Sequence, residues 1–237
     1  MEDMTRQGSS GFPSTAWTMV VQTRSDDRDA QLAMEKLCAI YWPPLYAFAR
    51  RSGCSRHDAE DATQAFFAKM IGGAFLDRAR QEKGRLRSFL LTSFKRFLND
   101  ERDKAQAQKR GGGKEILSFD AAALEEVLEG ETGSPELAFD RSWAHAVLEA
   151  TLGELEEEYR AKGKEALFNE LRPFLTDDGD GYRVVAERLG MRENAVGVAV
   201  FRLRKRFGEL MRWQVMATVA DEDEVEGELR HLMESLG

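Results

Sequence analysis

Cysteine, proline and histidine are scarce: the 237 residues include two cysteines, five prolines and three histidines. The cysteines, Cys38 and Cys54, lie sixteen positions apart and form no CxxC pair, so the sequence predicts neither a disulfide framework nor a zinc site. The histidines, His57, His145 and His231, lie in separate segments, with no HExxH or GxSxG pattern. We therefore expect a protein that is not an enzyme and that needs no metal or other cofactor.

Long apolar runs and clear strand signals are also absent. No segment approaches the roughly 20 apolar residues that cross a bilayer, and residues 1–14 lack the apolar centre of a signal peptide. We therefore expect a cytoplasmic protein with no membrane partner. Few windows alternate apolar with polar residues, whereas apolar residues recur at three- and four-residue spacing along the chain. The predicted fold class is all-α.

Charge is plentiful but unevenly distributed, and the net charge of −8 conceals the pattern. Residues 78–114 carry twelve basic and four acidic side chains, and residues 183–213 carry eight basic and three acidic ones. Residues 115–158 carry thirteen acidic side chains and one basic, and residues 221–237 carry seven acidic and one basic. This alternation predicts two surfaces that face phosphate, with acidic segments that avoid the phosphate or cover those surfaces.

Helical periodicity and turn residues divide the chain. Helices are predicted over residues 30–46, with a break at Pro43 and Pro44, over 55–70, where Ser55 acts as the N-cap, and over 86–108. Three glycines at 111–113 and the acidic stretch after them predict a flexible linker. The predicted organisation is an N-terminal extension (1–25), a helical domain (26–110), the linker (111–134), a second helical domain (135–215) and an acidic C-terminal extension (216–237).

Residues 182–212 have the sequence form of a helix-turn-helix within the second domain. Gly190 gives the turn its backbone freedom, and the first helix is expected to face Val196 and Val200 of the second. The cations of the second helix suit an element that lies across a DNA groove; they are Arg202, Arg204, Lys205 and Arg206. A helical hairpin with a solvated basic end is the alternative interpretation.

Aromatic and basic residues are interleaved in the first basic block. Phe89, Phe94 and Phe97 alternate with cations, an arrangement that suits unpaired bases, because every base offers a face for stacking and the phosphates attract the cations. Aromatics at this spacing also form helical cores, which is the alternative for each phenylalanine. The cations concerned are Arg87, Lys95, Arg96 and Arg102.

The segment 41–67, YWPPLYAFARRSGCSRHDAEDATQAFF, resembles the second conserved region of bacterial RNA polymerase sigma factors of the extracytoplasmic-function (ECF) group. Its DAEDATQAFF run is the most specific part. Residues 182–212 resemble the fourth region of these factors, and 85–110 and 224–237 extend the likeness. The resemblance implies a sigma factor that binds core RNA polymerase and directs promoter recognition and transcription initiation.

The resemblance also implies binding residues. Asp58, Glu60, Asp61 and Gln64 would contact the clamp helices of the largest polymerase subunit, and the flap would be a second polymerase contact. Residues 73–89 would hold a flipped base of the minus-ten element, and residues 90–110 would open the strands. The implied DNA-binding residues are Arg85, Arg87, Phe89, Lys95, Arg96, Arg102, Arg192, Asn194, Val198, Ala199, Phe201, Arg202, Arg204, Lys205 and Arg206.

The resemblance implies that the second helix of 182–212 enters the major groove of the minus-thirty-five element. The sequence of this helix departs from the family pattern. Gly197, Val198, Ala199 and Phe201 occupy positions where many relatives carry polar or basic side chains. Apolar groups can contact thymine methyls, but few hydrogen bonds to bases are available. We therefore expect weaker or shape-based reading at this element.

Regulation has two candidates in the sequence, besides an inhibitor protein. The tail is expected to form an acidic helix with Val225, Leu229, Leu232 and Leu236 on one face, which either packs simply or covers a basic helix as an internal brake. Some relatives are controlled by serine/threonine kinases, and phosphate on Thr63 would change the docking charge by nearly two units.

Two other functions fit the sequence less well. A sigma-mimicking adaptor that sequesters a regulator does not need the basic block at 78–114. A helix-turn-helix repressor needs a symmetric dimer interface, for which the sequence shows no clear heptad pattern.

Overall fold

The computed structural model describes residues 28–71, 85–107, 133–176, 179–219 and 221–237, and within these ranges the chain is helical and contains no strand. The all-α prediction is thus confirmed for this part of the chain. None of the described helices is long and apolar enough to cross a membrane. The extension 1–25, residues 73–84 of the stretch expected to hold a flipped base, and residues 111–132 of the linker lie outside the described residues. The α-helices are α1 (Arg28–Arg51), α2 (Arg56–Ile71), α3 (Leu86–Ala107), α4 (Pro135–Ala161), α5 (Glu165–Leu171), α6 (Tyr182–Leu189), α7 (Glu193–Met216) and α8 (Val225–Leu236), and short 3₁₀ helices lie at Arg172–Leu175 and Glu222–Glu224.

Helix α1 continues through Pro43 and Pro44, so the predicted break is wrong. An interior proline removes a backbone hydrogen bond and costs a helix about 3 kcal/mol. Here the flanking Tyr41, Trp42 and Leu45 are 0–1% exposed. Burial of these large side chains offsets the proline cost, because packing of a helix face contributes more than local propensity.

The predicted bounds of α2 and α3 are confirmed to within one or two residues. The Ser55 hydroxyl oxygen accepts a hydrogen bond from the backbone N–H of Asp58 at 3.2 Å, which satisfies one of the free donors at the start of α2. The Ser55 hydroxyl in turn donates to the Asp58 carboxylate at 2.6 Å. The capping predicted for this helix is therefore present.

A large core joins elements from both predicted domains. Phe66 and Phe94 stack edge to face at 5.1 Å between α2 and α3, and the same cluster includes Trp143 of α4 and Val215 near the end of α7. Helix α1 packs along the first half of α4. In this conformation α1, α2 and α3 of the first predicted domain therefore share one apolar core with α4, α8 and the end of α7.

A second, smaller core surrounds the turn between α6 and α7. It contains Val185 and Ala186 of α6 with Val196 and Val200 of α7, as their spacing predicted. Gly190 ends α6 with φ of 63°, a left-handed conformation that favours glycine. Helices α4 and α7 run through both cores and connect them rigidly.

The C-terminal segment forms the predicted amphipathic helix, α8. Val225 and Leu232 are fully buried, and Leu229 and Leu236 are partly buried in the large core. The helix packs on α4 and α7 and pairs Glu226 with Arg212 of α7. This placement brings the carboxylate of Glu228 to the start of α3.

Candidate polymerase and nucleic-acid surfaces

The four residues predicted to contact polymerase lie along α2. The side chains of Asp58 and Asp61 are exposed, and Glu60 and Gln64 are partly exposed. Arg56 pairs with Glu60 at 3.1 Å, and Nε2 of His57 lies 3.5 Å from Asp61. The helix therefore presents an acidic edge of the kind that complements a basic protein surface.

Thr63 lies on the opposite side of α2 from this edge. Its side chain is 0% exposed, and its hydroxyl donates a hydrogen bond to the carbonyl of Ala59 at 2.8 Å. A kinase needs an accessible hydroxyl, so Thr63 cannot be phosphorylated in this conformation. Any modification there would require α2 to leave the core.

Arg85 and Arg87, two predicted DNA contacts, are held by acidic side chains at the start of α3. Nε of Arg85 lies 3.0 Å from the carboxylate of Glu228, and Nε of Arg87 donates to the other oxygen of that carboxylate at 3.1 Å. Arg87 also donates to Asp140 at 2.6 Å and lies over the ring of Trp143 at 5.4 Å. Both guanidinium groups thus have intramolecular anionic partners.

The remaining predicted residues of α3 differ in exposure. Arg96 is exposed and Phe89 is half-buried. Lys95 donates to Glu136 at 2.6 Å, and this contact lowers the pKa of the Glu136 carboxyl. Arg102 donates to the carbonyl of Ser52 at 2.6 Å. The side chains of Phe94 and Phe97 belong to the core, so stacking on bases would depend on Phe89 alone among the three.

The outward face at the start of α7 is apolar. Val198 is 50% exposed and Phe201 is 68% exposed, and beside them Tyr182 of α6 is also exposed. Arg192, Asn194 and Arg202 are exposed around this patch, and Ala199 is half-buried. A shallow depression of about 420 Å³ lies at this patch. The depression is lined by Tyr182, Glu193, Asn194, Gly197, Val198 and Phe201.

The later cations of α7 contact the protein itself. Arg204 donates to the carbonyl of Phe174 at 2.9 Å, and Lys205 lies 3.9 Å from Glu209. Nε of Arg206 donates to both oxygens of Glu158 at 3.1 Å. Hydrogen bonding with this guanidinium lowers the pKa of Glu158 and raises that of Arg206. Arg204 thus fixes α7 against the 3₁₀ turn, and Arg206 fixes it against α4.

A larger apolar groove, of about 1060 Å³, runs between the end of α4 and α7. Tyr159 and Leu167 line one side, and Ala195 and Val198 line the other. Four cations also line it, namely Lys162, Lys164, Arg202 and Arg206, together with the Glu158 that pairs with Arg206. The groove is therefore suited to an apolar segment with acidic flanks.

Sequence reasoning missed the acidic partners of the first basic block, Asp140, Glu136 and Glu228. One signal was available: Glu228 follows Val225 by three residues and precedes Leu232 by four, so it shares their apolar face. A carboxylate on a buried face requires a cationic partner. The partner's identity was not readable, because it lies 141 positions away.

The family model Sigma-70 region 2 matches residues 38–108, a segment that contains α2, α3 and most of α1. No curated protein and no solved structure matches the chain. The match spans 71 of the 237 residues, and in that segment the chain is similar to sigma-70 region 2.

Proposed function

We propose that this protein is a sigma factor of the ECF group that recognises promoters through two helical units, 26–110 and 135–215, joined by the linker 111–134. The observation that carries the proposal is the match of residues 38–108 to sigma-70 region 2, on helices that present an exposed acidic edge. The protein would act in the cytoplasm, where polymerase and promoter DNA meet. Opening is driven by binding energy and needs no cofactor.

The acidic edge of α2 is the proposed contact with the clamp helices of the largest polymerase subunit. Asp58 and Asp61 are three residues apart and exposed, so a basic partner can reach both. Replacing Asp61 with Lys should weaken binding to core polymerase at least tenfold, because it sets like charges against each other. Glu234→Lys makes the same charge change at an exposed position of α8 and is the matched control.

The outcome separates the proposal from its competitors. Loss of polymerase binding with Asp61→Lys, at unchanged helix content, supports docking through α2. If the wild-type chain does not bind core polymerase, the adaptor is the better explanation. If the wild-type chain binds duplex DNA as a dimer without polymerase, the helix-turn-helix repressor is the better explanation.

The first basic block is the proposed minus-ten surface. Arg96 is exposed on α3, and Phe89 is half-buried about two turns earlier on the same helix, which suits phosphate attraction and stacking of an unpaired base. Arg85, Arg87, Lys95 and Arg102 complete the proposed surface. Their present contacts with acidic groups and a carbonyl would have to be exchanged for DNA.

The start of α7 is the proposed reading element for the minus-thirty-five sequence, with α6 and α7 as a helix-turn-helix. Val198 and Phe201 offer apolar surface to the major groove, and Arg192, Asn194 and Arg202 lie beside them for phosphates or base edges. Thymine alone presents a methyl group in that groove. We therefore propose that thymine methyls, with few hydrogen bonds, direct binding here.

Uracil substitution tests this reading, because it removes only the methyl group. With uracil for thymine in the upstream element of a responsive promoter, polymerase carrying the wild-type protein should bind several-fold more weakly. The Phe201→Ala variant should be insensitive to the substitution. Equal sensitivity of both proteins, or none in the wild type, would leave DNA shape as the basis of recognition.

The groove between α4 and α7 is the proposed docking surface for the polymerase flap. Its apolar lining and cationic border favour an apolar helix with acidic flanks. Ala195 is exposed in this groove. An Ala195→Asp substitution should weaken association with core polymerase, whereas Asp at exposed Gly208, outside the groove, should have little effect.

A further inference from the structure

A buried carboxylate joins α8 to the start of α3. Glu228 is 1% exposed, and its two oxygens face Nε of Arg85 at 3.0 Å and Nε of Arg87 at 3.1 Å. A carboxylate is withdrawn from water only where charged or polar partners replace the water. Gly227 allows the close approach, since a Cβ at that position would lie 2.8 Å from the Arg85 guanidinium.

Other contacts hold the same junction from α4. Asp140 accepts from Arg87 at 2.6 Å and lies 3.3 Å from Nε2 of His231 on α8. The backbone N–H of Leu86 donates to the carbonyl of Thr218 at 3.0 Å, just beyond the end of α7. The start of α3 is thus attached to α4, α8 and the segment between α7 and α8.

These contacts compete with nucleic acid for the same groups. Arg87 is 11% exposed, with Nε and one terminal nitrogen donating to carboxylates. A phosphate would have to displace Glu228 and Asp140 to reach it, and like charges oppose that exchange. While α8 is packed in this position, Arg87 is therefore not available to DNA.

We propose that α8 is an internal latch, formed by Glu228 and Asp140 with Arg85 and Arg87, which keeps the free protein in a packed form that cannot engage a promoter. Release of the latch separates α3 from α4 and α8 and frees the two arginines. The docking edge on α2 is exposed while the latch is closed, so polymerase can bind before release. This inference extends the proposed function and rests on it.

The test uses full-length protein with Glu228→Gln, which keeps the side-chain shape and removes the charge. Glu234→Gln removes one charge from an exposed position of the same helix and is the control. Asp140→Asn weakens the contact that α4 makes with Arg87 at this junction. It provides a second variant for the test if Glu228→Gln does not fold. The readouts are the radius of gyration by small-angle X-ray scattering and the affinity for a fluorescent forked DNA of mixed sequence without polymerase.

The latch predicts a larger radius of gyration and at least tenfold tighter DNA binding for Glu228→Gln or Asp140→Asn, with Glu234→Gln like the wild type. Unchanged DNA affinity and radius, together with a lower melting temperature, would make the cluster a core ion pair and overturn the latch. If the latch is overturned in this way but the wild-type protein transcribes with core polymerase, the proposed function stands without the latch. If the wild type neither binds polymerase nor transcribes, the proposed function fails, and the scattering result still decides whether the packed form is latched.

Discussion

The carboxylate of Glu228 accepts a hydrogen bond from Nε of Arg87 at 3.1 Å, across 141 positions of sequence. Arg87 lies in the first turn of α3, and Glu228 lies in α8. The pair is mostly buried, so each charge depends on the other and on Arg85 and Asp140 for solvation. It connects the segment matched to sigma-70 region 2 with the C-terminal extension.

Removing one member of this pair should destabilise the protein strongly. An Arg87→Met substitution leaves the Glu228 carboxylate short of a partner in the core, and the free energy of unfolding should fall by about 3–5 kcal/mol. Arg87→Met with Glu228→Met should recover part of that loss, because the fully buried Glu228 carboxylate is removed as well, whereas Asp140 still lacks Arg87. Urea unfolding measures both values.

Arg96 provides the control for this prediction. It lies on the same helix but is exposed, so Arg96→Met should change the free energy of unfolding by less than about 0.5 kcal/mol. If Arg87→Met changes stability no more than Arg96→Met does, the buried pair does not hold the packed form together.

Two glycines should respond to alanine with opposite signs. Gly190 has φ of 63°, and alanine there should lower stability by about 1–2 kcal/mol, since left-handed backbone strains a residue with a Cβ. Gly208 lies inside α7 with open space around its Cβ position, and alanine there should raise stability by about 0.5–1 kcal/mol. Thermal unfolding distinguishes the two, and a stabilising Gly190→Ala would contradict the tight turn.

Thr63 should not accept a charge while α2 is packed. Thr63→Asp places a carboxylate at a fully buried position and should lower stability by more than about 3 kcal/mol, whereas Ala65→Asp on the exposed side should have little effect. Circular dichroism melting measures both. Equal melting temperatures would mean that Thr63 reaches solvent, which would restore kinase control at this residue as a hypothesis.

The contact between Glu158 and Arg206 should make the free energy of unfolding depend on pH. Arg206 lowers the pKa of Glu158 below its ordinary 4.5, so this contact stabilises the fold above that pH and is lost as the pH falls through the lowered value. Glu158→Gln should therefore be less stable than the wild type at pH 7, and the difference should shrink in acid. A difference that is independent of pH would contradict this assignment.

Local features of the fold were predictable from the sequence, because they depend on near neighbours. Ser55 with Asp58 indicated the start of α2, and Gly190 marked the turn before α7. The break at Pro43 was wrongly predicted, since burial of Tyr41 and Trp42 by distant helices outweighs local propensity. Short-range pattern carries the helix and its cap, whereas tertiary packing decides whether a proline ends it.

The candidate site was predictable to a lesser degree. The exposed acidic edge at Asp58 and Asp61 follows from a polar face on a predicted helix. Whether Arg87 faces solvent or a carboxylate depends on the path of the chain through both cores, which no local pattern encodes. The cluster of basic residues was therefore predictable from the sequence, but its ion pairs with Asp140 and Glu228 were not.

The most direct test of the central claim is run-off transcription with core RNA polymerase and a promoter library, with and without this protein. A sigma factor predicts transcripts that depend on the protein and share a common upstream element. If the protein neither binds core polymerase nor yields such transcripts, the assignment as a sigma factor is contradicted.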